Sequence, residues 1–137
     1  MADLHPYQMY IDGGWVDAGG GHRFESLNPA SAKPWATVPE ADAADVDRAV
    51  RAAHAAFTEG PWPKMTATER GRCLRRLADL LAENSELLGR IETIDTAKLF
   101  KETRWQASYI AEFFHYYAGL ADKISGDTLP IDKPDMW

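Results

Sequence analysis

A length of 137 residues allows one compact domain but not two, and a composition 45% hydrophobic and 26% charged belongs to a globular chain. No apolar run approaches the ~20 residues that cross a bilayer, so no membrane segment is expected. The net charge of −6, from 15 basic and 21 acidic residues, opposes a phosphate backbone; the densest basic stretch, Arg70, Arg72, Arg75 and Arg76, lies beside Glu69 and Asp79 as on a solvated helix face, so no nucleic acid partner is expected.

The first forty residues have strand character. Tyr7 to Val16 gives two short aromatic or β-branched runs separated by Asp12-Gly13-Gly14, the local signal for a tight hairpin. Gly19, Gly20 and Gly21 mark a second turn. Arg23 to Leu27 alternates polar and apolar as a half-buried strand does, Asn28-Pro29 stops it, and Trp35 to Val38 supplies one more strand. The expectation is a small antiparallel meander over residues 1–40.

Helical spacing begins at Asp42. Val46, Ala49, Val50, Ala53 and Phe57 fall on one stripe, with Asp42 as N-cap and Asp45 in the first turn, where carboxylates are favoured. Gly60-Pro61 closes that helix. Thr66-Ala67-Thr68-Glu69 is a capping box opening a second helix with Leu74, Leu77, Ala78 and Leu81 as its buried stripe. Asn84-Ser85 marks a break and a new cap, followed by Leu88, Ile91 and Ile94. A last long helix is expected from about Lys101 to about Ile124, ended by Gly126. Its apolar side chains, among them Trp105, Tyr109, Phe113 and Tyr117, cover so much of the circumference that it needs neighbours on two sides. Residues 127–137 read as extended, with Pro130 and Pro134 confining them to an edge or an arm. Short strands with nothing central to pair with, plus an aromatic-rich helix, suggest a piece of a larger fold.

The single Cys73 cannot form an internal disulfide, and the polar segment Met1 to Tyr10 is no secretory signal, so a cytoplasmic location is expected. Cys73 lies beside the leucine stripe of the second helix, where burial would make its thiol inert. His5, His22, His54 and His115 have no companion ligands at zinc-like spacing. Gly19 to Gly21 leads into a strand and not into a helix N-terminus, so it is no phosphate cradle.

The segments Tyr10-Ile11-Asp12-Gly13-Gly14-Trp15, Phe24-Glu25-Ser26-Leu27-Asn28-Pro29-Ala30, Thr37-Val38-Pro39-Glu40-Ala41, Asp45-Val46-Asp47-Arg48-Ala49-Val50 and Glu92-Thr93-Ile94-Asp95-Thr96 occur in a characteristic order and spacing. With them the chain resembles the NAD(P)-dependent aldehyde dehydrogenase superfamily over nearly its whole length. Tyr116-Tyr117-Ala118-Gly119-Leu120 leans towards the betaine-aldehyde and broad-specificity members. One departure is Asp95-Thr96-Ala97-Lys98-Leu99, where relatives usually have glycine in place of Ala97. Alanine tolerates positive φ poorly, so either the turn is remodelled or the backbone is helical through Ala97.

The resemblance implies an α/β class: the N-terminal part of a Rossmann-like fold, with a β-meander, three to four helices and the start of an oligomerisation arm. Residues 1–126 would belong to the cofactor-binding domain, with helices over 42–124, and 127–137 to the arm. It implies oxidation of an aldehyde substrate with NAD or NADP, in which a cysteine attacks the carbonyl, hydride leaves to the nicotinamide and a base-activated water releases the acid. The catalytic and cofactor-binding residues of relatives fall outside the matching positions, so none is expected here, and the segment would serve as scaffold and assembly surface of a homodimer or homotetramer. Several relatives hold a structural monovalent cation, a K or Na ion, near the meander. The matching positions are Ser26 and Leu27, through backbone oxygens, and Asp95; equally, Asp95 would simply cap a helix or a turn. A free-standing, non-catalytic binding or scaffold protein derived from the family is the alternative reading.

Overall fold

A computed structural model describes residues 4–127. Five short strands come first: β1 (His5–Pro6), β2 (Met9–Ile11), β3 (Gly14–Val16), β4 (Arg23–Asn28) and β5 (Lys33–Pro39). Four helices follow: α1 (Ala43–Thr58), α2 (Ala67–Glu83), α3 (Ser85–Thr96) and α4 (Phe100–Leu120). A single 3-10 turn, Trp62–Lys64, joins α1 to α2.

The strands do not make one antiparallel meander. β2 and β3 form a separate two-stranded hairpin, while β1, β5 and β4 form a mixed sheet in that order, with β1 parallel to β5. Only β4 and β5 pair antiparallel in it. The hairpin turn has positive φ at both Asp12 (54°) and Gly13 (77°), the type I′ geometry that the Asp-Gly step favours, because its twist matches that of the flanking strands. The hairpin closes on itself and leaves β5 free to take the passing N-terminal segment, with the Tyr7 amide donating to Thr37 O at 2.9 Å. The Arg23 guanidinium locks this arrangement by donating to Asp17 Oδ1 (2.7 Å) and to the Thr37 carbonyl (3.1 Å).

Local capping chemistry sets the helix starts. Asp42 accepts from the Ala44 and Asp45 amides, and Thr66 accepts from the Glu69 amide while the Glu69 carboxylate accepts from the Thr66 amide at 2.7 Å. α1 ends at Thr58 with Glu59 as C-cap, so the Gly60-Pro61 step closes it as expected. Two boundaries differ from the sequence reading. Asn84 does not cap α3; its side-chain amide donates back to the Leu80 carbonyl at 2.8 Å, so it closes α2. α4 stops at Leu120, four residues short of Ile124, where Asp122 would set a carboxylate against the negative end of the helix dipole.

The interior of the helical layer is built from small residues. α4 packs on α2 and α3 through Thr103, Ala107, Ala111 and Ala118, spaced along one face, and α2 answers with Gly71 and Ala78. A Cβ at Gly71 would lie 2.8 Å from Ala118 O, and one at Gly89 on α3 would lie 2.7 Å from both Cα and N of Arg104. The helices therefore touch backbone to backbone. Among the described residues Thr103 is the largest side chain that is fully buried; its hydroxyl lies 2.9 Å from Thr93 Oγ1 and donates to Gly89 O at 2.9 Å.

The expected large apolar stripes sit elsewhere. Val46, Val50 and Phe57 on α1 are exposed, and so are Trp105, Tyr109, Phe113 and Tyr117 on α4. α4 thus has neighbours on its small-residue side, while its aromatic side faces outwards among the described residues. On α2, Leu74 and Leu81 are half-buried and Leu77 is exposed. Cys73 is exposed as well, contrary to expectation, because the inward face of α2 runs through positions 71, 74, 78 and 81 and Cys73 falls beside it.

Candidate functional site

Asp95 lies in the last turn of α3, and Ser26 and Trp35 lie on the antiparallel pair β4 and β5. The register between these strands slips at Ser26/Leu27: Ser26 pairs with Ala36 and Leu27 with Pro34, so Trp35 is an extra, bulged residue. The bulge turns its indole towards α3. Ser26 Oγ donates to Asp95 Oδ1 at 2.7 Å, and the Trp35 indole N–H reaches Ser26 Oγ at 3.2 Å and Asp95 Oδ1 at 3.3 Å. The carboxylate therefore neither caps its helix nor merely closes a turn. It joins α3 to the sheet across 69 residues of sequence to Ser26.

Of the three expected cation ligands, the structure brings Ser26 and Asp95 together, and Leu27 follows Ser26 on the same strand. Asp95 Oδ1 is occupied by two neutral donors. The nearest cation along the chain, Lys98, is held by Glu92 Oε1 at 2.6 Å, and among the described residues no Lys, Arg or His lies within ion-pair distance of Asp95. An anionic oxygen and strand carbonyls are the hard donors that an alkali cation takes, so the donor set fits such an ion. Trp35 was not legible as a member of this site, although a half-buried indole generally seeks an acceptor for its N–H.

The adjoining turn keeps its alanine in an unexpected way. Ala97 has φ 59° and ψ 15° and forms the left-handed C-cap of α3, its amide donating to Thr93 O at 2.9 Å. The turn is neither remodelled nor helical; it retains the geometry that glycine would adopt, at a cost of about 1 kcal/mol.

A second carboxylate, read from sequence only as a first-turn residue, is a structural tie. Asp45 is 5% exposed and accepts from the Gly19 amide at 2.9 Å and the Asp42 amide at 3.3 Å, with Arg48 at 3.3 Å. Thus the glycine turn is anchored to the N-terminus of α1 and then enters β4. No nucleotide cradle forms there, since the Gly19 amide is taken by a protein carboxylate and the Gly21 amide by the Ala18 carbonyl. The histidines are scattered: His5 packs edge-on to Tyr7, and His115 Nε2 lies 3.6 Å from Asp79 Oδ1 across α4 and α2. Among the described residues no group of three or more His, Cys, Asp or Glu side chains could hold a metal ion, and no helix is long and apolar enough to cross a membrane.

A match to the aldehyde dehydrogenase family extends over residues 15–137. The chain belongs to the aldehyde dehydrogenase family. It is 47% identical over 133 residues to (Z)-2-((N-methylformamido)methylene)-5-hydroxybutyrolactone dehydrogenase of Acinetobacter baylyi, covering 97% of this chain and 27% of that protein. It is also 47% identical over 126 residues to aldehyde dehydrogenase family 2 member B4, mitochondrial, of Arabidopsis thaliana, covering 91% and 23%. An aldehyde dehydrogenase structure from Bacillus cereus superposes with a TM-score of 0.87 at 42% identity, covering 94% of this chain and 26% of the other. A betaine aldehyde dehydrogenase from Staphylococcus aureus, in complex with NAD+, gives 0.85 at 38%, covering 93% and 26%. The strands and four helices of this chain match the N-terminal part of the Rossmann-like aldehyde dehydrogenase fold. The chain spans about a quarter of the length of the relatives it matches.

Proposed function

We propose that this chain forms the N-terminal part of the cofactor-binding domain of an NAD- or NADP-dependent aldehyde dehydrogenase. That enzyme would oxidise an aldehyde to a carboxylic acid through a cysteine thiohemiacetal. Residues 1–126 supply scaffold, residues 127–137 begin an arm for assembly into a homodimer or homotetramer, and the protein works in the cytoplasm. The residues that carry out the chemistry lie outside this chain.

The observation that carries this reading is the distribution of burial. Apart from Pro39, the buried apolar side chains among the described residues are all alanines, whereas Val46, Val50, Phe57, Trp105, Tyr109 and Phe113 stay exposed. A set of helices that seals its small-residue seam and leaves its largest apolar groups outside has surface ready for a further layer. The same reading assigns Asp95, with the backbone oxygens of Ser26 and Leu27, as ligands of a structural K or Na ion.

The test replaces the corresponding N-terminal residues of the Bacillus cereus aldehyde dehydrogenase with this chain and follows aldehyde-dependent NADH formation. The chimera is expected to turn over, and the 137-residue chain alone is expected to give none. A soluble chimera without activity would instead support the free-standing scaffold protein. For the ion, thermal stability should rise with added potassium or sodium over lithium, and Asp95→Ala should abolish the difference.

A further inference from the structure

At the start of α4 the sign of the charge reverses locally. An open groove of about 730 Å³ lies there, walled by Phe100 and Trp105 and carrying Lys101 and Arg104, with Ser85 of α3 on its far side. Lys101, Arg104 and Trp105 recur three or four residues apart, so they stand on one side of the helix. Among the described residues no Asp or Glu lies within ion-pair distance of Lys101 or Arg104. Glu102 also lines the groove, but it is one and two positions from these cations and does not face them. Glu86 on α3 is already held by Arg90 at 2.7 Å, and the Arg90 guanidinium lies over the Phe100 ring, 4.7 Å from its centroid. The groove thus sets two cations against one carboxylate, in a chain of net charge −6. Trp105 is 61% exposed, and its stacking on Tyr109, with centroids 4.8 Å apart, holds the indole in place.

We propose that this groove binds a small organic carboxylate with a flat apolar body, its head on Arg104 and Lys101 and its body along Trp105 and Phe100. Like charges three residues apart on a helix repel, and an anion between them relieves that repulsion. A guanidinium offers a carboxylate two parallel N–H bonds, while the Lys101 ammonium adds a point charge with little directional demand. The local excess of one positive charge matches a monoanion. The indole supplies a large apolar face already ordered by Tyr109, so a flat ring stacked there loses little further freedom of the protein. The volume of about 730 Å³ lies within the range of roughly 300–1,000 Å³ usual for small-molecule pockets. The two cations also set this end of α4 apart from its aromatic remainder. A further protein layer laid over them would bury unpaired charge, whereas a carboxylate brings the counter-charge with it.

The experiment titrates benzoate into the full 137-residue chain in Tris chloride at constant ionic strength. The readout is the Trp105 indole N–H resonance, assigned by its loss in Trp105→Phe. Saturable binding in the millimolar range is expected. Arg104→Gln should weaken it about tenfold, and Lys101→Gln about threefold. Glu102→Gln removes the one opposing charge and should tighten binding about twofold, a gain that no folding defect would produce. No saturable shift by about 50 mM benzoate would overturn the proposal, being weaker than any useful affinity. Equal binding of benzamide, the neutral analogue of the same shape, would overturn it by showing that the cations take no part. Equal binding of inorganic phosphate would overturn it by showing that the rings take none. A benzoate response that ignores all three substitutions would place the anion elsewhere and equally refute the site.

Discussion

Replacing Gly89 by alanine sets two opposing effects against each other. Gly89 lies inside α3, where alanine is the better helix former by about 1 kcal/mol. The new Cβ would stand 2.7 Å from Cα and N of Arg104, which are backbone atoms of α4 and cannot swing aside. To reach ordinary 3.4 Å contact the two helices must part by about 0.7 Å, and such overpacking costs about 1–3 kcal/mol. Parting also stretches the 2.9 Å hydrogen bond from the buried Thr103 hydroxyl to Gly89 O, a further ~1 kcal/mol. The net expectation is destabilisation by about 2 kcal/mol, roughly thirtyfold in the unfolding equilibrium. Gly119→Ala on α4 is the control, since a Cβ there meets nothing within 4 Å and should leave stability unchanged or slightly raised. Urea unfolding followed by circular dichroism measures both. If Gly89→Ala is as stable as Gly119→Ala, the backbone contact between α3 and α4 is not what holds the helical layer together.

Ala97→Gly should stabilise the chain by about 0.5–1 kcal/mol, because relief of the left-handed strain exceeds the extra freedom of the unfolded glycine; an unchanged urea midpoint would contradict the φ of 59°. Thr103→Val keeps the shape but strips Gly89 O and Thr93 Oγ1 of their partner, and should cost about 1–3 kcal/mol by the same assay. The Glu69 carboxyl titrates below its ordinary value, chiefly through the backbone hydrogen bond from Thr66, then that residue's hydroxyl, with Arg72 adding attraction. Its stabilising effect is therefore complete above the ordinary glutamate value and is lost as pH falls through the lowered one. Glu69→Gln should accordingly be less stable than the natural chain at neutral pH, with the gap narrowing in acid, and a gap that does not narrow as pH falls below the ordinary carboxyl value would remove the cap from the account.

The aldehyde dehydrogenase resemblance, the four helices and the position of their starts were legible in the residue order. So was the Asp12-Gly13 turn. The Ser26–Asp95 pairing followed only from resemblance to relatives, and Trp35 as their third partner was missed. The indole comes into reach only because Pro34 and the bulge shift the register by one residue, an event with no signature in a run that alternates normally on either side. Cys73 was placed inside because cysteine is commonly buried, but the inward arc of α2 is narrower than its leucine pattern suggests.

By itself, the sequence determined what depends on neighbours a few residues away. The Asp42–Asp45 and Thr66–Glu69 boxes and the type I′ turn close through bonds spanning three residues or fewer, so composition and spacing suffice. Tertiary structure alone decided that β1 runs parallel to β5, that Asp45 anchors Gly19, and that Asp95 meets a hydroxyl 69 residues away. It also decided which side of each helix faces inwards. Apolar periodicity favours the large side chains, but glycine and alanine let backbones approach closely enough for Thr103 to reach a carbonyl on the neighbouring helix. That approach sealed the small-residue face and left the aromatic one outside.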